Sequence, residues 1–165
     1  MTSRPPDALS IRDAVSADRS HLIQAIVELQ DHERALHDTR LPGPSIAETY
    51  LCWLEAGTAE RGAILVAEID GGFRGFAAGW IELTDAVPET PDSNHFGYIP
   101  DICVLSRHRG NRIATRLLAA VEQRLAAFGI TRLRINSLAM NKPARASYER
   151  SGFSPFEVMY EKRIG

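Results

Sequence analysis

Residues 98–138 read YIPDICVLSRHRGNRIATRLLAAVEQRLAAFGITRLRINSL, and their order decides the centre of the fold. Tyr98 to Leu105 is a short apolar run, which predicts a strand. Ala114, Leu117, Leu118, Val121, Leu125 and Phe128 then recur at three- and four-residue spacing, so a long helix is expected from about Asn111 to Phe128. Gly129 supplies its stop. The stretch RLRINSL, residues 132–138, reads as the next strand. Strand, long helix and strand in that order imply a parallel crossover.

Working outward, Asp70-Gly71-Gly72 is a turn signal between the apolar runs GAILVAEI (62–69) and FRGFAAGWIEL (73–83), so a hairpin precedes the crossover. Both strands are apolar on both faces and belong inside the sheet. Upstream, Leu9 to Val15 alternates as a first strand, and Ser16 is the expected N-cap of a helix running to about Leu29. The polar stretch DHERALHDTRLPGP then reads as a loop, before a second helix over about Ile46 to Glu55 closed by Gly57. Thr84 to Gly97 is expected to be a loop. Downstream, a short helix from about Lys142 to Ser151 has Pro143 in its first turn and Gly152 as its stop, and Phe156 to Ile164 alternates as a last strand. Residues 1–8 read as a loose tail and 9–165 as one domain. The expected class is α/β with a mixed sheet, mostly antiparallel, with helices on both faces.

Composition narrows the function. Lys and Arg number 19 against 21 Asp and Glu, giving a formal charge of −2, so no chain-wide basic field for nucleic acid exists. The charge is nevertheless uneven. Residues 107–116 hold four arginines and no acid, whereas 82–101 hold five acids and no Lys or Arg. Cys52 and Cys103 lie in apolar patterns and read as buried thiols. No metal quartet is spaced in the sequence, and His32 and His37, five apart, do not share a helix face. The first ten residues lack the apolar core of a signal peptide, and no apolar stretch is long enough for a bilayer, so a cytoplasmic protein with no membrane partner is expected.

RHRGNRIA, residues 107–114, combines a glycine, several arginines and a helix start. The first N–H groups of a helix lack partners and lie at the positive end of its dipole. Gly110 allows close backbone approach, Ala114 is small, and arginines add charge-assisted bonds to phosphate. A solvated basic helix start, a nucleic-acid contact and a phosphate seat all fit this local chemistry. The following strand RLRINSL argues against a helix-turn-helix, whose helices are joined by a short turn.

Taken together, DICVLSRHRGNRIATRLL and NKPARASYERSGF resemble the GNAT-type N-acetyltransferase superfamily. Its cofactor loop has the pattern Gln/Arg-x-x-Gly-x-Gly/Ala at the end of a strand and the start of a long helix. Its later signature is matched by Asn141, Ala144, Tyr148 and Gly152-Phe153. The resemblance is strong from about Tyr98 to Phe153. It implies a GNAT-like sheet of six to seven strands. One departure is Arg112, which stands where the pattern has its middle glycine; the expectation here is that Arg112 takes ordinary helical dihedrals.

The resemblance implies acetyl transfer from acetyl-CoA to a primary amine by direct attack in a ternary complex, with no metal. It places the pantetheine arm along Ile102, Cys103 and Val104. The pyrophosphate falls on Arg109, Gly110, Asn111, Arg112, Ile113 and Ala114, with Asn141 and Tyr148 also beside the cofactor. A main-chain N–H near Cys103 and Val104 would hold the oxyanion. Tyr148 is the implied acid for the departing sulfur. Asp101 is the first choice of base, with Glu82, His95 and solvent as alternatives, because Asn136 stands where some relatives carry a glutamate. The family's first two helices line the acceptor pocket, which here makes Asp31, Glu33 and Asp38 candidates for attracting an ammonium. Dimers are common among relatives, so a homodimer is left open. A non-catalytic acyl-CoA-sensing module of the same fold is the alternative function.

Overall fold

A computed structural model describes residues 9–165; the expected tail at 1–8 lies outside the described residues. Strands β1 (Ser10–Asp13), β2 (Gly62–Ile69), β3 (Gly72–Leu83), β4 (His95–Val104) and β5 (Leu133–Ile135) form one sheet in the order β1-β2-β3-β4-β5. Every pairing is antiparallel except β4 with β5, which is parallel. Helix α3 (Ile113–Ala126) makes that crossover, as the sequence expects. Helices α1 (Arg19–Leu36) and α2 (Gly43–Thr58) cover one face, with Leu22, Ile26, Leu51, Leu54, Phe76 and Trp80 in their core. Helix α3 covers the other face with Ile113, Leu117, Val121 and Leu125, joined by Tyr148 from α4 (Lys142–Arg150).

Strands β2 and β3 meet in a two-residue hairpin whose corner residues, Asp70 and Gly71, both have positive φ (53° and 72°). That is the geometry whose twist matches flanking strands. An Arg12 clamp holds β1. Its guanidinium donates to both Asp18 oxygens at 2.6 and 2.9 Å and to Glu68 of β2.

Several boundaries differ from expectation. Helix α1 begins at Arg19 and not beside Ser16. Asp18 folds back to accept the Val15 N–H at 2.8 Å, so a short 3₁₀ turn precedes the helix. α1 also continues through the polar stretch to Leu36, since polar residues are good helix formers once one face is docked. Helix α2 runs from Gly43 to Thr58, and Gly57 lies inside it. A side chain at Gly57 would come within 2.8 Å of the Trp80 ring, so this glycine serves close packing and not helix termination. Cys52 is exposed, contrary to its apolar neighbourhood in sequence, whereas Cys103 is buried.

The sheet has five strands among the described residues, fewer than the six to seven expected, and the alternating segment 156–164 is not one of them. Its apolar side chains find no face to bury: Phe156, Val158 and Tyr160 stay exposed. Alternation drives strand formation only where one face is covered. Side-chain contacts hold this segment instead. Phe156 lies 4.6 Å from the Arg134 guanidinium, Glu161 is 3.3 Å from His37, and Arg163 pairs with Asp38. Among the described residues no helix is long and apolar enough to cross a membrane. None of their His, Cys, Asp and Glu side chains form a group of three that could hold a metal.

Two irregularities open the sheet where the chemistry is expected. The pairing of Ala78 with Asp101 is followed by that of Trp80 with Tyr98. Ile99 and Pro100 therefore face the single residue Gly79, which is a β-bulge. Proline, lacking an N–H, is at home at a bulge. β5 stops at Ile135, opposite Ile99, while β4 runs on to Val104. Past the bulge, that edge of β4 has no strand partner among the described residues.

Candidate active site

Alternation would put Tyr98 and Asp101, three apart, on opposite faces of β4. The bulge adds one residue and brings both to the α1/α2 face. Asp101 is held there by Tyr50 of α2, whose hydroxyl donates to Oδ2. Burial pushes the Asp101 carboxyl up to about 7, the Tyr50 hydrogen bond opposes this, and the charge of Glu33 adds to it. Burial and the charge of Asp101 together raise the phenols of Tyr50, Tyr98 and Tyr148. Three tyrosines thus sit in the field of one carboxylate, and each stays protonated at neutral pH.

Their hydroxyls differ in occupation. That of Tyr50 is committed to Asp101, and that of Tyr98 accepts from Asn136 Nδ2 at 3.3 Å. The Tyr148 hydroxyl has no hydrogen-bond partner among the described residues. Its ring is half-buried against Phe153, with centroids 6.2 Å apart. Asn141 caps α4, accepting the Ala144 N–H at 3.3 Å, and is nearly buried. It sets the start of the short helix that presents Tyr148.

The loop before α3 supplies donors. The Arg109 N–H is spent on Ser106 O at 3.3 Å, and the Arg116 N–H on Arg112 O at 3.1 Å. Between them, the N–H groups of Gly110, Asn111, Arg112, Ile113, Ala114 and Thr115 have no acceptor among the described residues. Gly110 has φ 87°, and nothing lies within 4 Å of where its Cβ would be. Unpaired N–H groups at the positive end of a helix match a polyanion such as a diphosphate.

Arg112 corrects the sequence reading. It is the N-cap of α3 in the left-handed region, φ 56° and ψ 17°, and not in helical dihedrals. This is the conformation that the pattern's glycine would take freely, so the loop keeps the pattern's backbone without its residue. A left-handed arginine costs roughly 1 kcal/mol. Arg112→Gly should therefore raise stability by about that amount, measured by denaturant unfolding, without weakening an anion on the loop. A drop in stability would show that the arginine side chain contributes more than its backbone strain removes.

Glu28 of α1 is a residue that sequence reasoning missed. Its Oε1 accepts the Ser106 N–H at 2.6 Å and lies 3.9 Å from Arg109 Nη2, which ties α1 to the loop's entrance. Arg109 itself turns back, its Nε donating to Val104 O at 3.2 Å. Cys103 sits under this region with its Sγ 3.5 Å from Ala25 O. Burial and the charge of Glu28 push its thiol up to about 12. A thiol so fully protonated is a packing group and not a nucleophile.

The acidic residues named for the acceptor are all engaged. Asp31 accepts the Gly43 N–H at 2.7 Å and so fixes the start of α2. Glu33 pairs with Arg40 at 2.8 Å, while its charge reaches Asp101 and Tyr148. Asp38 pairs with Arg163. Ile102 and Val104 point into the α3-side core, so what they offer a ligand is main chain.

Comparisons with known proteins bear on the family and the fold. The profile described as the acetyltransferase (GNAT) family matches residues 23–153. The protein YycN of Bacillus subtilis, described as an uncharacterized N-acetyltransferase, is 34% identical over 86 residues, covering 52% of this chain and 53% of YycN. The chain thus spans about half the length of the curated relative it matches. Among solved structures, a mutant of the BH1408 protein of Bacillus halodurans superimposes with a TM-score of 0.82 over 94% of this chain and 99% of that one, at 18% identity. An aminoglycoside N-acetyltransferase, AAC(6')-Iy, in complex with CoA, gives a TM-score of 0.70 over 99% and 100% of the two chains, at 21% identity. The chain belongs to the GNAT family of acetyltransferases.

Proposed function

We propose that the protein moves an acetyl group from acetyl-CoA to a small primary amine by direct attack within a ternary complex. The observation that carries this reading is the convergence of three features at one opening of the sheet. They are the unpaired N–H groups from Gly110 to Thr115, the edge of β4 beyond Ile99 that has no strand partner among the described residues, and Tyr148, whose phenol feels the charge of Asp101. The residues present fit the cofactor. Donors suit its diphosphate, Gly110 leaves room for it, and main chain at Ile102 to Val104 can bond its amide arm like an added strand.

Bound acetyl-CoA supplies an activated acyl thioester. The chain's own residues manage the protons. An alkyl ammonium, with a pKa near 10, must shed a proton before its nitrogen can attack. Asp101, raised toward neutrality, accepts that proton directly or through a water. A main-chain N–H near Cys103 and Val104 polarises the carbonyl. As the carbon–sulfur bond breaks, Tyr148 gives its phenolic proton to sulfur and recovers one from solvent or from the new amide nitrogen. Net, the ammonium loses two protons: one ends on the CoA thiol and one is released. On this reading the acceptor is a small amine rather than a protein, and the chain works in the cytoplasm, singly or as a homodimer.

The test is release of CoA thiol from acetyl-CoA over a broad panel of amines. Amine-dependent release supports transfer, whereas CoA binding with no release from any amine would favour an acyl-CoA-sensing module. Tyr148→Phe should lower kcat about 10²-fold, the lower range for a general acid, while the Kd for CoA stays within about twofold. Equal loss of both would make Tyr148 a packing residue.

A further inference from the structure

A continuous row of aromatic rings leads to Asp101. Tyr50 and Trp53 of α2 have centroids 5.2 Å apart, Trp53 meets Trp80 of β3 edge-on at 5.0 Å, and Trp80 meets Tyr98 of β4 edge-on at 5.6 Å. Both ends of the row return to the same carboxylate. Tyr50 donates to Asp101, and Tyr98 shares its face through the bulge. Trp80 is the rigid backing: it is 6% exposed, and its Nε1 donates to Glu82 at 2.6 Å. Trp53 is the opposite case, a large ring left 44% exposed on a docked helix. Core packing alone does not explain it, because nearly half of the residue stays open to solvent.

We propose that this wall is the acceptor seat, and that it takes a single primary ammonium carried on an aromatic or short hydrophobic body, in preference to polyhydroxylated or polycationic amines. This rests on the acetyl-transfer reading above. The ammonium sits at Asp101, and its body lies over Tyr50 and Trp53, the rings nearest that carboxylate along the row. Ring faces attract cations and cover apolar surface together. Charge argues for one cation. Glu33 is already paired with Arg40, and Asp31 and Asp38 are held by Gly43 N–H and Arg163. A second or third ammonium would find few open carboxylates, and sugar hydroxyls would lose water against rings that cannot hydrogen-bond them.

The experiment compares phenethylamine, a short alkylamine, spermidine, kanamycin and a lysine peptide as acceptors. Both acetyl transfer and direct calorimetric binding to the CoA-loaded protein are measured. Phenethylamine is expected to have the highest kcat/KM. Trp53→Ala should raise its KM and Kd about tenfold with kcat within about threefold, and Trp53→Phe should restore most of the loss. Trp53 is 44% exposed and lies at the rim of its core, so the fold is expected to survive the change, and CoA affinity provides the check. Phenethylamine binding that depends on Trp53 but gives no turnover with any amine would keep the seat and sink acetyl transfer. Preferred transfer to spermidine, kanamycin or the peptide, unaffected by Trp53→Ala, would sink the seat and keep acetyl transfer. Neither binding nor turnover of any amine overturns both.

Discussion

Asp101→Asn is expected to cut kcat/KM for amine acetylation by about 10²–10³, the range for removing a general base, while making the protein more heat-stable at pH 8. The two effects share one cause. Asp101 has an ordinary carboxyl pKa of 3.8, raised to about 7 in the fold by burial. The folded chain therefore binds this proton more tightly than the unfolded chain does. The associated stability is fully present below about pH 4 and is lost as pH rises through 7. At pH 8 the native protein carries a buried charge, and asparagine removes it while still accepting the Tyr50 hydroxyl. The rise in melting temperature should thus be clear at pH 8 and vanish near pH 4. In the native protein, kcat/KM for acetyl transfer should fall on the acid side with a limb near 7, and the residual activity of the variant should lack that limb. A variant that is less stable at pH 8, with activity little changed, would make Asp101 a structural carboxylate.

The second large effect is at Gly110. Its φ of 87° is closed to proline, whose ring fixes φ near −65°. Gly110→Pro also deletes one of the unpaired N–H groups. The Kd for CoA should rise at least about tenfold, given that a lost charge-assisted bond alone is worth about 1.5–3 kcal/mol. The position is exposed with no neighbour near its Cβ site, so the helical circular dichroism should persist. Unchanged CoA affinity in a folded variant would remove this loop from the binding site.

The sequence made some of this legible for physical reasons and hid the rest for others. The hairpin at Asp70-Gly71 and the β4-α3-β5 crossover are local signals: turn residues and a sharp change of hydrophobic period. The placement of Asp101 is not local. It depends on a bulge that exists only when β3 and β4 pair, although Pro100 inside a strand pattern was a usable hint. Arg112 departs from the helical dihedrals expected of it because the loop imposes its left-handed corner on the residue that stands there. Segment 156–164 has a strand's alternation but no covered face, so pattern and outcome part. Tyr50, Trp53 and Trp80 come from α2 and β3, and no spacing in the chain announces that their rings meet beside Asp101.

Amide NMR spectra recorded as CoA is titrated into the protein test the central claim most directly. The largest shifts are expected on the N–H groups of Gly110 to Thr115 and of Ile102 to Val104. Shifts that leave those amides still and cluster on another surface, or a spectrum that millimolar CoA does not change, would contradict it.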